Sequence, residues 1–362
     1  MISASINQQH IILFLILIIF FLFSFICYRS DFVPYNSECP EMIHKQDKEV
    51  QNKTSVKPNP TPTPKDTIVL VWNWPWGQQF ALDKCTEFGF PGCKLSTDRS
   101  LYGIADAVVI HHADVWDKNA LPQQPRPSFQ RWVWLNLEPP LIIRNLEMMD
   151  NLFNATMTFR QDSDIYIPYG QIETTKEPQN FSIPKKSKLV SWVVSKWYPG
   201  VRRIAYYNEL NKHVPIDVYG AKHMPLSNKD FHPTISQYKF YLSFENSIYR
   251  DYITEKLWSN AFGSWAVPVV LGTSRKNYEQ FVPGDAFIHV DDFASPKELA
   301  DYLLQLDKDD VKYQKYFKWR SRYYVKIGDG WPYHYCKACA VIKQSPKYQV
   351  VHEIAKWFLK DV

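Results

Sequence analysis

The densest group of polar residues lies between Tyr238 and Phe262, in the run YKFYLSFENSIYRDYITEKLWSNAF. An apolar, strand-like stretch, Phe240–Phe244, gives way to Glu245-Asn246-Ser247, and a helix around Thr254–Phe262 carries Glu255 and Lys256 in its first turn. A helix N-terminus offers free N–H groups and the positive end of a dipole, which together attract a pyrophosphate. A lysine there adds a point charge for a leaving phosphate, and a glutamate beside it can accept from ribose hydroxyls. The alternative is a capped surface helix with both side chains in water. Glu138, just past the apolar run WVWLNL, is a carboxylate at a strand end, fit for a general base or for a turn. Asp162-Ser163-Asp164 has the form of a DxD metal pattern, but three residues carry little information and a surface turn is expected. The chain holds no Walker loop, GxGxxG, GxSxG or HExxH, which removes the commonest hydrolase and dehydrogenase readings.

Such residues need a rigid frame, and the flanking sequence alternates strand and helix signals. Buried-strand runs occur at Ile68–Trp72, Ala107–His111 and Trp132–Leu137. Further on, Leu189–Val194 leads through Ser195 to a helical stretch ending near Leu210. Strands follow at Ile216–Tyr219, Phe240–Phe244, Val267–Leu271 and Phe287–Val290. Ser295 as N-cap, Pro296 at the first helical position and Glu298 at the third predict a complete capping box. Leu299, Tyr302, Leu303 and Leu306 then follow helical spacing. Strands without polar alternation, interleaved with helices, argue for parallel sheets covered on both faces. Two such stretches predict an α/β protein of two doubly wound, Rossmann-like domains. Ligands would bind in the cleft between them, at the carboxyl ends of the strands.

With 362 residues, 45% of them apolar, the chain can bury two cores. Its net charge is +5 with both signs interspersed, which argues against a nucleic-acid stripe or a polybasic membrane patch. Aromatic residues make up 16%, a share that suits sugar binding, although ordinary core positions account for most of them. The apolar run Ile11–Cys27, at about 1.5 Å per residue, can cross a thin bilayer. It lacks a basic n-region and a following cleavage site, so an uncleaved anchor over residues 11–28 is expected, with residues 1–10 as a cytoplasmic tail. The flanking charges do not orient it, because Arg29 lies just after the run and no Lys or Arg precedes it. Residues 29–66, polar and ending in a Pro-rich KPNPTPTP stretch, read as an extended stem. Sequons at Asn52, Asn154 and Asn180 follow the anchor and agree with a lumenal head. Cys336 and Cys339 have the spacing of half a zinc site, but Cys85 and Cys93 do not supply the other half. Disulfides in an oxidising lumen are favoured; four cysteines allow three connectivities, and spacing does not choose among them.

The residues from Tyr238 to Phe262 closely resemble the signature of the animal α-1,3-fucosyltransferases, the Lewis-type enzymes of glycosyltransferase family 10. The similarity continues through AVPVVLG (Ala266–Gly272), FIHVDDF (Phe287–Phe293) and YFKWR (Tyr316–Arg320). Upstream it includes TDRSLY (Thr97–Tyr102), His111-His112, WLNLE (Trp134–Glu138) and DSDI (Asp162–Ile165). It covers nearly the whole head, from about Thr67 to the C-terminus.

The resemblance implies a GT-B fold, with an acceptor-binding domain over 67–170 and a GDP-fucose-binding domain over 171–334. A C-terminal tail, 335–362, would be tied to the acceptor domain. It implies inverting transfer of L-fucose from GDP-β-L-fucose to the 3-OH of GlcNAc in N-acetyllactosamine, on glycoprotein or glycolipid acceptors. Glu138 falls where the family has its general base, and Arg203 and Lys256 where charge on the leaving GDP is offset. Tyr169, Val193, Ser195, Lys196, Tyr241, Asn246, Tyr252 and Glu255 fall at other donor contacts, and Gln78 at an acceptor contact. The implied disulfides are Cys85–Cys336 and Cys93–Cys339. No metal ligand set is implied, and Mn2+ is expected to stimulate without taking part in the chemistry. The expected location is the Golgi membrane, single-pass type II, with the head in the lumen. Cys39, without an evident partner in the head, either links two stems into a homodimer or stays free.

Several positions depart from the family pattern. Lys196 stands where relatives often have Asn beside the diphosphate, Pro139 replaces a Ser after the base, and Ser191 and Tyr238 replace a third cysteine pair. Ala113 follows the His pair where relatives carry Arg or Trp, so the preference between type 2 and type 1 chains is open. Two alternatives stand beside the leading reading. One is a core α-1,3-fucosyltransferase acting on the chitobiose of N-glycans, and the other is a lectin-like glycan-binding protein without turnover.

Overall fold

Runs of Val, Ile and Leu without polar alternation leave no face for solvent, and each becomes a strand of a covered parallel sheet. The computed structural model describes residues 65–360, apart from 221 and 346. The tail, the anchor over 11–28, the stem as far as residue 64, Cys39 and the sequon at Asn52 lie outside the described residues. Among the described residues no helix is long and apolar enough to cross a membrane.

The first sheet comprises β1 (Thr67–Val71), β2 (Cys93–Ser96), β3 (Ala107–His111), β4 (Arg131–Asn136), β5 (Ala155–Thr158) and β6 (Ile165–Tyr166). Its order is β2-β1-β3-β4-β5-β6 and every pair is parallel. Pairing of His111 with Leu135 sets the ends of β3 and β4 side by side. From it β7 (Gly170–Thr174) leads to a second sheet of β8 (Lys188–Val193), β9 (Ile216–Tyr219), β10 (Tyr238–Phe244), β11 (Val267–Leu271) and β12 (Ile288–His289). This sheet is ordered β12-β11-β10-β8-β9, again with every pair parallel. The chain returns through β13 (Tyr323–Ile327), which pairs antiparallel with β7.

The two sheets are covered differently. The second carries helices from its own sequence, including α1 (Arg202–Leu210) after β8 and α2 (Pro296–Lys308) after β12. In the first, the connections hold only short 3-10 turns, such as Pro75–Gly77 and His112–Asp114. Its loops are rich in Pro and Gly (Pro75, Gly77, Pro91, Gly92, Pro122, Pro125, Pro127), which break helices. This sheet too is covered on both faces, but its helices come from residues 330–359 and not from the connections between its strands. α3 (Gly330–Gln344) packs Tyr335, Ala338 and Ile342 against Val69, Val109 and Val133 on one face. α4 (Ile354–Leu359) brings Ile354 and Phe358 to Leu70, Ile110 and Trp134 on the other. Two disulfides, Cys85–Cys336 and Cys93–Cys339, bond α3 to this sheet across sequence separations of 251 and 246 residues.

Two local expectations change. Ser295 Oγ caps α2 by accepting from Glu298 N (3.2 Å), but Glu298 Oε2 accepts from Ala294 N (3.2 Å) and not from the cap residue. The box is therefore displaced by one residue. Asn154 is buried, its Nδ2 donating to Gln349 O (2.6 Å) and its Oδ1 accepting from Trp132 N (2.8 Å). A glycan can join that amide only before the segment around Gln349 closes over it. Asn180, by contrast, is exposed.

Candidate active site

Residues just beyond the carboxyl ends of strands from both sheets line a cleft of about 870 Å³. On the first-sheet side, Glu138 lies two residues past β4 and is half-buried. Asn136, fully buried, grips its backbone twice: Nδ2 donates to Glu138 O (2.7 Å) and Oδ1 accepts from Glu138 N (3.2 Å). The Tyr169 hydroxyl donates to Leu137 O (2.6 Å), so the root of the carboxylate is held from both sides. Burial pushes the Glu138 carboxyl above its ordinary value; Lys196 and then Lys256 pull against that shift, while Glu255 adds to it.

Across the cleft, β10 is followed by Glu245 and Asn246. Glu245 is buried, and its carboxylate accepts from Thr254 N (2.8 Å) and Thr254 Oγ1 (2.9 Å). Lys256 Nζ sits 3.0 Å from Glu245 Oε2 and 2.9 Å from Glu255 Oε1. Burial works against the Lys256 charge, yet the two carboxylates outweigh it and hold its pKa above the ordinary value. For Glu255, which is exposed toward the cleft, burial is likewise outweighed by Lys256, and its carboxyl stays below the usual range. The result is an ammonium fixed at the cleft wall and charged at neutral pH.

The helix expected near Thr254–Phe262 is wound wider than an α-helix. Asn260 N donates to Glu255 O (2.8 Å) and Gly263 N to Trp258 O (3.1 Å), each five residues back. The wider turn seats Trp258 on Gly170, where a Cβ would come within 2.5 Å of the indole. It also brings Asn260 Nδ2 to the buried Tyr241 hydroxyl (3.2 Å). Such π-type turns recur at functional sites. Seven residues of this winding make a poor dipole, so the charge on this wall comes from the Lys256 side chain rather than from a helix end.

Arg203, in the first turn of α1, is buried. Burial lowers its pKa, with Glu245 opposing. Its Nη2 donates to Lys196 O (2.7 Å), which holds the Ser195-Lys196 turn at the cleft. The Arg203 Nε and Asn246 Oδ1 are both buried without a protein partner. Buried polar atoms are seldom left unpaired, and two of them beside three cations fit a polar, anionic ligand. Among the described residues, no three His, Cys, Asp or Glu are grouped to hold a metal ion.

Ten of the site residues singled out in the sequence meet at this cleft. They are Glu138, Tyr169, Val193, Ser195, Lys196, Arg203, Asn246, Tyr252, Glu255 and Lys256. Tyr241 lies beneath it, touching the lining residue Asn260, and Gln78 reaches it through Trp331, whose Nε1 donates to Gln78 Oε1 (3.4 Å). Asp162 and Asp164 stand apart from it: Asp162 pairs with Arg160 through two 2.8 Å bonds, and Asp164 accepts from Thr156 N (2.7 Å). They stabilise a turn. Sequence reasoning passed over Trp76, His223 and Trp331, which also line the cleft. The available signal was an indole in a Pro/Gly turn, as in WPWG and GWPY, where a core role is improbable.

Residues 183–357 match the family model described as glycosyltransferase family 10 (fucosyltransferase) C-term, and residues 64–170 match the one described as fucosyltransferase, N-terminal. The chain is 50% identical over 285 residues to the human 3-galactosyl-N-acetylglucosaminide 4-alpha-L-fucosyltransferase FUT3, an alignment covering 77% of this chain and 79% of that protein. It is 51% identical over 285 residues to the Mus musculus 4-galactosyl-N-acetylglucosaminide 3-alpha-L-fucosyltransferase 9, covering 78% and 79%. Among solved structures, an alpha1,3-fucosyltransferase crystallised with GDP-fucose matches in fold, with a TM-score of 0.51 at 20% identity over 82% of this chain and 96% of that one.

Proposed function

Because the chain belongs to glycosyltransferase family 10, the fucosyltransferases, we propose that its cleft moves L-fucose from GDP-β-L-fucose to the 3-OH of GlcNAc in N-acetyllactosamine. The observation that carries this reading is a half-buried carboxylate on one wall facing fixed cations on the other. Glu138 takes the acceptor hydroxyl proton as that oxygen attacks the anomeric carbon. The bond from the anomeric carbon to the β-phosphate oxygen breaks with its electron pair, and attack from the opposite side inverts the centre. Lys256 and Arg203 offset the charge that builds on the departing GDP, which is the main electrostatic task of such a displacement. Tyr169, Val193, Ser195, Tyr241, Asn246, Tyr252 and Glu255 hold the donor in this reading, and Gln78 the acceptor. Stimulation by Mn2+ belongs to the same reading.

The relatives differ in the hydroxyl that their names specify, so the acceptor is the point to test. Full-length protein would be given GDP-fucose with type 2 chains (3-OH free), type 1 chains (4-OH free) and chitobiose, and the products read by mass spectrometry. Fucose on type 2 chains is expected. Labelling of type 1 chains alone would move the reaction to the 4-OH, and labelling of chitobiose alone would make this a core enzyme. No transfer by a protein that still binds GDP would leave a glycan-binding protein.

The pH dependence tests the base. Glu138 acts only when ionised, so turnover falls as the pH drops through its pKa, which burial raises. Lys196 is the first of the charges opposing that rise. Lys196→Gln is therefore expected to move the acid limb of kcat toward higher pH. A limb that stays in place would show that Lys196 does not act on the base.

The same reading includes the division into 67–170, 171–334 and 335–362, a GT-B architecture and a homodimer. It places the chain in the Golgi membrane as a single-pass type II protein anchored by residues 11–28. The two disulfides support a lumenal head, because such bonds persist in oxidising compartments, and so does the exposed sequon at Asn180.

A further inference from the structure

We infer that Asp114 and His111 are positioning residues that fix the indoles of Trp76 and Trp331 as the wall on which the acceptor's sugar ring stacks. This rests on the proposed transfer reaction and adds the chemistry of its acceptor side. The turn Pro75–Gly77 after β1 and the turn His112–Asp114 after β3 meet at a single carboxylate oxygen. Asp114 Oδ2 accepts from Trp76 N (3.0 Å) and also contacts His111 Nδ1 (2.5 Å). The His111 ring is wholly buried, and its backbone is locked by Asn73, whose Oδ1 accepts from His111 N (2.9 Å) and whose Nδ2 donates to His111 O (2.8 Å). Against that fixed imidazole lie both indoles, each edge-on: Trp76 at 5.3 Å and 74°, Trp331 at 5.7 Å and 69°.

Trp76 is an odd residue for this place. Its φ of 54° and ψ of 28° are left-handed, a conformation that bulky side chains rarely adopt and that clusters at ligand clamps. Glycine would fit the backbone better, yet an indole stands here, 49% exposed and lining the cleft that holds Glu138. Asp114 supplies the hydrogen bond that keeps the strained turn in place. An indole face held open to the cleft suits the apolar C–H face of a pyranose, and Trp331 extends the wall toward Gln78.

The test is a double-mutant cycle on the full-length protein, with N-acetyllactosamine as acceptor and GDP as donor-site probe. Trp76→Ala is expected to raise the acceptor KM about tenfold, the size of one good aromatic contact, with GDP affinity unchanged. Trp76→Phe should give a smaller rise. Asp114→Ala, which removes the acceptor oxygen, should raise the acceptor KM in the wild-type background and change nothing further in the Trp76→Ala background, because it acts through that indole. Additive effects of the two substitutions, or a loss confined to kcat or to GDP binding, would overturn the assignment. Should Asp114→Ala fail to fold, Trp76→Ala decides alone, since its side chain is exposed and an unaltered KM sinks the proposal. Absence of transfer by the wild-type protein is a different result, and it bears on the reaction rather than on the wall.

Discussion

Glu138→Gln is expected to lower kcat by about 10²–10⁴-fold, the contribution typical of a positioned general base. The amide keeps the size of the side chain. Asn136 holds Glu138 through backbone atoms alone and Tyr169 holds Leu137 through its carbonyl, so the loop stays where it is. What disappears is an oxygen able to take the acceptor proton. GDP affinity, measured by calorimetry, should stay near the wild-type value because Lys256 and Arg203, the cations proposed to meet the diphosphate, lie on the opposite wall. Near-normal turnover in this variant would remove Glu138 from the reaction.

Lys256→Met should do two separable things. On the proposed reaction it removes a cation that offsets charge on the leaving GDP, with an expected loss of about 10²–10³ in kcat, as for removal of one preorganised charge-stabilising group. It also strands Glu245, which is buried with Lys256 Nζ at 3.0 Å. Breaking a buried pair from one side costs about 3–5 kcal/mol. The pH dependence gives the sign of the second effect. Burial already pushes the Glu245 carboxyl up even with Lys256 beside it, and without the lysine it rises further. A carboxyl raised in the folded state favours folding when protonated, and that stability is lost as the pH rises through its folded pKa. The variant should therefore recover part of its thermal stability on acidification, relative to wild type. Lys256→Met combined with Glu245→Gln should restore stability at neutral pH but not turnover. Recovery of both would mean that Lys256 only supports the fold.

The strands were legible because their residues admit one environment. Ala107–Ile110 and Val267–Leu271 are apolar throughout, and the buried strands Ala107–His111 and Val267–Leu271 have the expected bounds. Less visible was whatever depended on partners distant in sequence. No property of residues 67–170 announces that the helices on their sheet come from residues 330–360, since helical spacing in α3 says nothing of where its apolar face docks. The cysteines show the same limit, with Cys85 and Cys336 paired across 251 positions. The polar run at 245–256 was visible as a site, but not the wide winding of 256–262, which answers to Trp258 against Gly170. Glu138 alone was ambiguous between a base and a turn residue. What the folded chain adds is the grip of Asn136, two positions earlier, on its backbone, and its place on the cleft wall.

The covering of the first sheet by α3 and α4 has a consequence for the order of synthesis. A nascent chain makes β1 to β6 first, but their apolar faces, such as that at Val69, Val109 and Val133, have no helices to meet until residues 330–359 leave the ribosome. Until then the first half waits with open hydrophobic faces and unpaired thiols at Cys85 and Cys93, while the second half can close on helices of its own. The part made first is thus completed last, and a chain cut short before residue 330 holds a second sheet covered by helices of its own beside a first sheet that lacks its cover.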